Sequence, residues 1–273
     1  MVEPEVPILR NGNPDLEGEE TTSANIGIVW TPEWRVLKGF TFGVDSWKIT
    51  REGYVNLPSA SETIEAWESG NPLPNTFVIF DPATDRLVQV GRTFQNVNEF
   101  DVRGIDFAIG YVYASDNLGT FNFDLGGTWF ERYSFDGENL VGQATSDESN
   151  DGYLEWKASA RLAWRYKGFH IAISPRYIDG FTDYTYDADF NVVERQVESR
   201  ILTDVYMSYD IGSLSMIKAQ EWLNDATVYV KIRNVLDTDP PYANGYFGNS
   251  VGYPGFLYDS RGRVITAGFE LKF

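Results

Sequence analysis

The chain finishes on Thr266-Ala267-Gly268-Phe269-Glu270-Leu271-Lys272-Phe273, and the alternation in this stretch decides how the rest is read. Ile265, Ala267, Phe269, Leu271 and Phe273 fall on one side; Thr266, Glu270 and Lys272 fall on the other. Successive side chains of a strand point to opposite faces, so this segment predicts a strand with one apolar and one charged face. Chain ends normally fray and are polar. This one closes on an aromatic residue instead.

The same period of two recurs upstream. Trp156, Ala158, Ala160, Leu162, Trp164 and Tyr166 alternate with Lys157, Ser159, Arg161 and Arg165. Phe169, Ile171, Ile173 and Tyr177 alternate with His170, Ser174 and Arg176. With similar patterns near 23–30, 40–49, 105–113, 121–125, 204–211, 228–233 and 264–273, nine strands are expected. Several reach the 9–11 residues that a tilted membrane strand requires.

The connections sort by parity. Residues 31–39, 115–119, the Lys167-Gly168 turn and 212–224 form a shorter set; 51–95, 134–152, 179–198 and 236–262 form a longer one. Short turns on one side and long loops on the other are the habit of up-and-down membrane barrels. The expected fold is therefore all-β: part of an antiparallel up-and-down transmembrane β-barrel of about nine strands. Large aromatics near strand ends, Trp30, Trp129, Trp156, Trp164 and Tyr166, suit the interfacial girdles of such a wall.

Composition narrows the function. Aromatic residues make up 15% of the 273 residues, and 25 are Gly. No apolar run approaches the roughly 18 residues of a spanning helix. The formal charge of −18 argues against nucleic acid, whose phosphates require a basic face. There is no Cys, which removes thiol and disulfide chemistry, and the single His170 sits in a strand pattern rather than a ligand cluster. Met1 to Pro7 has neither a basic nor an apolar leader region, so no signal peptide is expected there. Asp147-Glu148-Ser149-Asn150-Asp151 reads as a solvated acidic loop tip, and Asp81 to Asp85 as a turn between apolar runs. Residues 62–67 read as a single helical turn. With no nucleophile motif and no phosphate loop, the chain is not expected to be an enzyme, and no cofactor or metal is expected.

Bacterial outer-membrane barrels end on a polar residue, a Gly two further on and apolar or aromatic residues last; Thr266, Gly268, Leu271 and Phe273 fit that assembly signal. Three stretches then resemble one family. Asn13-Pro14-Asp15-Leu16 with Glu19 to Thr22 resembles a barrel motif of TonB-dependent outer-membrane receptors. Ile232-Arg233-Asn234-Val235-Leu236-Asp237 looks like their penultimate strand and turn, and Tyr258 to Val264 leading to Phe273 like their closing strand. Gly18 stands where Pro is usual, and Val235-Leu236 where Leu-Phe is commoner.

The resemblance implies an outer-membrane location and import of a scarce nutrient such as a siderophore, corrinoid or oligosaccharide. It implies as partners outer-membrane lipid, the barrel assembly machinery and the TonB complex, the last only through an amino-terminal part. Such receptors have a plug, a TonB box and about 22 strands, so this chain reads as their carboxyl-terminal barrel part without plug or box. Residues 1–22 are expected to be an extracellular-side loop segment and 23–273 the barrel part. Among the loop aromatics, Tyr184, Tyr186, Tyr246, Phe247 and Tyr253 are the expected ligand contacts, since aromatic platforms suit such ligands. Loop-on-loop packing is the plainer role for any one of them. Two other readings remain open at this point: a small porin-like barrel, and a secreted carbohydrate-binding β-sandwich.

Overall fold

The computed structural model describes residues 6–135, 137–144, 154–187, 191–214, 226–243, 252–255 and 257–271. In chain order the elements are β1 (Ile8–Asn11), β2 (Glu20–Trp30), β3 (Phe40–Asn56), α1 (Ala60–Glu68), β4 (Phe77–Phe80), β5 (Leu87–Thr93), β6 (Gln95–Ser115) and β7 (Gly119–Phe135). They continue with β8 (Glu138–Asn139), β9 (Trp156–Tyr166), β10 (Phe169–Ile178), β11 (Phe181–Tyr186), β12 (Val192–Val197), β13 (Arg200–Asp210), β14 (Ala226–Arg233) and β15 (Val264–Leu271).

The nine expected strands are β2, β3, β6, β7, β9, β10, β13, β14 and β15. They hydrogen bond in chain order as one sheet, with the short β8 added at β7. Strand order that follows chain order is up-and-down topology, which disposes of a two-sheet sandwich. The pairs from β7 through β15 are antiparallel. β3 and β6, at 17 and 21 residues, run well past the expected 40–49 and 105–113. The alternation of apolar and polar residues gives out before the hydrogen bonding does, because the added lengths carry polar side chains on both faces.

Two compact units share these strands. One comprises Met1–Ala24, Lys48–Val102 and Arg132–Leu140; the other comprises Asn25–Trp47, Arg103–Glu131 and Val141–Phe273.

In the second unit register fixes two unlike faces. Leu162 pairs with Ile173, Ile173 with Val205, Val205 with Ile232, and Ile232 with Ile265, so one face is continuously apolar. Among the described residues that face has no protein cover: Ile26 is 76% exposed, Leu162 47% and Phe269 55%. An apolar surface of this extent is what a membrane wall turns toward lipid. Aromatic rings bracket it. Trp129 stacks on Trp156 at 6.0 Å near one end, while Phe40 lies 4.2 Å from Tyr111 and Phe169 4.5 Å from Tyr209 near the other. With a strand tilt of about 40°, the rise from Trp156 to Trp164 is about 20 Å, close to the apolar band of a membrane barrel. No helix among the described residues is long and apolar enough to cross a membrane. The tightest link, Lys167-Gly168, has φ of 48° and 84°. Two central residues at positive φ form the hairpin turn whose twist matches its strands, and this locks the register of β9 against β10.

The first unit carries a small separate sheet in the order β1-β5-β4, with β1 parallel to β5. Both α1 and this sheet lie within or beside the long 51–95 connection. The helix exceeds the single turn expected at 62–67 because Ser59 and Glu62 form a reciprocal capping box. Trp67 of the helix rests on Phe80 of β4 at 5.2 Å. Arg92 is buried, and its guanidinium donates to the carbonyls of Pro58 and Leu57. The expected turn at Asp81 is present: its carboxylate accepts the amides of Ala83 and Thr84, which hold its pKa below the usual range. Residues 1–22 include β1 and the start of β2. Asn13 donates to the Phe94 carbonyl at 2.8 Å, and Asn96 bonds both Glu17 and Gly53, so the first family-like motif anchors the chain entering β2.

Candidate ligand-facing surface

The polar face of the second unit is built by the residues between the apolar ones. Across four strands, Arg165 faces His170, His170 faces Ser208, Ser208 faces Tyr229, and Tyr229 faces Gly268. The ring of His170 meets Tyr206 edge-on at 5.4 Å, and Tyr206 stacks with Tyr229 at 6.2 Å. Further along, Arg176 faces Ser159, while Lys157 faces Thr128 on one side and Ile178 on the other.

Two concavities lie on this face. The larger, of about 850 Å³, is lined by Asp124, Arg161, Arg176 and Asp204 among small residues such as Gly110, Gly126 and Ser159. The second, of about 570 Å³, shares Gly126, Ser159 and Arg176 and adds Lys157, Asp106 and Thr128. Leu154, Ile178 and Leu257 close over it.

Those three apolar residues belong to a cluster made by the long connections. Ala144, Leu154, Ile178, Phe181, Val197, Ala243 and Tyr258 are buried together, with Tyr184, Leu202, Tyr253 and Leu257 packed against them. Tyr258 is 5% exposed, and its hydroxyl has no hydrogen-bond partner among the described residues. Burial pushes its pKa up to about 12. The base of the last long connection is held by polar contacts. Asn234, at φ 48°, brackets Thr238 through both ends of its amide, and its own backbone N–H donates to Asp204. Asp237 accepts the Arg263 amide at 2.7 Å, and Asp259 grips the Arg261 guanidinium, which holds its carboxyl far below the usual range.

Of the residues picked out from sequence, Tyr184 and Tyr253 meet on this one cluster, and the Tyr184 hydroxyl lies 3.1 Å from the Gln143 side chain. The backbone of Tyr186 continues β11, while its side chain and all of Tyr246 and Phe247 lie outside the described residues. Thr266, Gly268 and Leu271 are on β15, with Thr266 opposite Lys231 and Leu271 opposite Ala226. Phe273 lies outside the described residues. The acidic run 147–151 does as well. Among the described residues no group of His, Cys, Asp or Glu is arranged to hold a metal ion. The second cavity was not singled out from sequence. Lys157 and Arg176 were placed on polar faces, but the curve that joins them has no one-dimensional signal.

An up-and-down sheet with one lipid-like face, one charged face and long loops on one side is a membrane-barrel wall. The family described as TonB dependent receptor-like, beta-barrel matches residues 4–235. The chain belongs to the TonB-dependent receptor family. Its polar face is thus the lumen wall of an outer-membrane receptor barrel, its short links are periplasmic turns and its long connections are extracellular loops. Solved receptors carry the same fold. The siderophore receptor PirA from Acinetobacter baumannii aligns over 97% of this chain and 33% of its own, at 9% identity and a TM-score of 0.63. The pyoverdine receptor FpvA from Pseudomonas aeruginosa PAO1 aligns over 97% and 31%, at 14% identity and 0.59. The FrpB iron transporter from Neisseria meningitidis aligns over 95% and 32%, at 12% identity and 0.58. This chain therefore spans about a third of the length of these receptors. No curated protein matches it.

Proposed function

We propose that the chain supplies the carboxyl-terminal part of the wall, and the ligand-gating loops, of a TonB-dependent receptor that imports a scarce nutrient across the outer membrane. The observation that carries the reading is the pairing of an uncovered apolar face with a charged lumen face across nine strands whose loop lengths alternate. Energy would reach such a receptor through TonB, by contacts made outside these strands. The nutrient would be a ferric siderophore, a corrinoid or an oligosaccharide; the likeness to solved siderophore and iron receptors favours the first. Residues 1–22 would lie on the extracellular side and 23–273 would form barrel wall and loops. Tyr184 and Tyr253, with Tyr186, Tyr246 and Phe247, would meet the ligand from the loops. Thr266, Gly268, Leu271 and Phe273 would be read by the barrel assembly machinery.

The test is expression in a Gram-negative host with the chain followed into outer-membrane fractions by heat-modifiable migration. Removal of Phe273 is expected to abolish outer-membrane assembly. Unchanged assembly without Phe273 removes the assembly role, and a chain recovered only as soluble protein without detergent removes the receptor reading.

A further inference from the structure

The smaller of the two lumen cavities has a charge balance unlike the rest of the chain. The protein carries −18 overall. Yet the charged residues lining this cavity are Lys157, Arg176 and Asp106. Asp106 is engaged, accepting the Thr128 hydroxyl at 2.6 Å. The Arg176 side chain makes no hydrogen bond or ion pair among the described residues, and that of Lys157 has only the Phe130 ring, 5.6 Å from its ammonium. Both cations are exposed to the cavity.

Register brings the two together. Arg176 faces Ser159 and Ile178 faces Lys157, so the cations are diagonal neighbours on one face of adjacent strands. Diagonal neighbours stand about 7–8 Å apart at their backbones, a gap that two long, flexible side chains close around a single anion. The walls also favour this use. Gly126 and Ser159 leave room at the floor, and Leu154, Ile178 and Leu257 of the loop cluster supply an apolar roof. A concave site with apolar walls and a few converging polar groups is the usual form of a small-molecule site, and low-dielectric walls strengthen the field of unpaired cations inside it. The larger cavity lacks this bias, since Arg161 and Arg176 there are balanced by Asp124 and Asp204.

From this we infer that Lys157 and Arg176 form an anion clamp beneath the loops, which selects a ligand bearing clustered oxyanions over a neutral sugar or corrinoid. The inference rests on the receptor reading and narrows it to one ligand chemistry. Arg176 contributes a planar donor fork for paired oxygens and Lys157 a mobile point charge.

The test uses outer-membrane vesicles containing the full chain and three probes: the radiolabelled ferric tris-catecholate complex, maltotetraose and cyanocobalamin. The expected result is retention of the anionic complex alone. Lys157→Met and Arg176→Met each weaken retention by about tenfold or more, the loss of one charge-assisted hydrogen bond. Lys157→Arg restores it, and Arg165→Gln, near the periplasmic turn, leaves it within about twofold. Heat-modifiable migration checks that each variant is folded, and the equally uncharged Arg176→Gln replaces Arg176→Met if the latter does not assemble. Retention of a neutral probe alone overturns the clamp while leaving the receptor reading intact, as does equal retention of the anion by parent and charge-removed variants. Retention of none of the three overturns both.

Discussion

The ring of Tyr229 on β14 lies across Gly268 on β15: a Cβ at Gly268 would stand 2.5 Å from the ring carbon and the hydroxyl. The two residues are direct cross-strand partners on the lumen face. Any side chain at position 268 must therefore displace the Tyr229 ring, whatever machinery reads the closing strand. Covering a strand glycine with a neighbouring ring also recovers contact that the missing side chain forfeits.

Gly268→Val is expected to displace Tyr229 and cost about 1–3 kcal/mol, the range for overpacking a filled site. Urea unfolding of the detergent-folded chain measures it. Tyr229→Ala in the same chain should return most of the loss, because the two substitutions share one contact. Additive losses would mean that the ring and the glycine are not coupled.

Tyr258 sets a prediction in alkali. Its pKa is raised to about 12 by burial, from an ordinary value of 10.0. A group whose folded pKa is raised contributes stability below its unfolded pKa and loses it as pH climbs to the folded value. The loop cluster should therefore weaken between about pH 10 and 12. Tyr258→Phe should flatten that part of the profile in a pH titration of near-UV circular dichroism. At neutral pH the same variant is expected to be unchanged or stabilised by up to about 1 kcal/mol, since it deletes a buried hydroxyl that lacks a partner among the described residues.

Leu162 and Ser174 separate the two faces of the wall. Leu162 pairs with Ile173 on the lipid side, and Ser174 faces Asp204 on the lumen side. Leu162→Arg should cost about 2–4 kcal/mol in a bilayer, where a mid-membrane cation has no solvent. Ser174→Arg should cost far less, beside a carboxylate and water. Equal costs in vesicle unfolding would contradict the assignment of faces.

In the first unit, Ser59→Ala removes the capping box of α1 and is expected to cost about 1 kcal/mol of local stability. Hydrogen exchange at the Glu62 and Thr63 amides reads it directly. Arg92→Met should loosen the same connection, because the carbonyls of Leu57 and Pro58 lose their buried donor. Unchanged limited proteolysis within 57–76 would assign Arg92 a lesser part.

The membrane-crossing strands were legible because alternation is local and each side of the wall has a fixed solvent. Trp156 to Tyr166 announces itself without help from any other segment. What escaped depends on distant partners or on short signals. Arg92 reads as one charged position in an ordinary strand, and its burial follows from carbonyls far back along the chain. The Ser59–Glu62 capping box is present in the sequence but sits before a weakly apolar run, so the pattern marks only a single turn of α1. The hairpin of β11 and β12 inside the 179–198 connection has cross-strand pairs such as Tyr184 with Glu194 that no periodicity marks. The anion clamp falls between these cases. Both cations are visible on polar faces, and the Lys167-Gly168 turn fixes their register, but the roof above them joins two separate loops, at Leu154 and Leu257, to the end of β10 at Ile178.

The parallel pairing of β1 with β5 joins a segment that precedes β2 to one that follows β3. Neither partner can find the other until the intervening hairpin exists, and a parallel pair with so much chain between its members carries a high closure entropy. The pairing is therefore a late event in folding and an early one in opening. An order of events follows: the hairpin pairs first, and β1 is buckled onto β5 afterwards. A protease would meet the unbuckled form before either strand of the hairpin gave way.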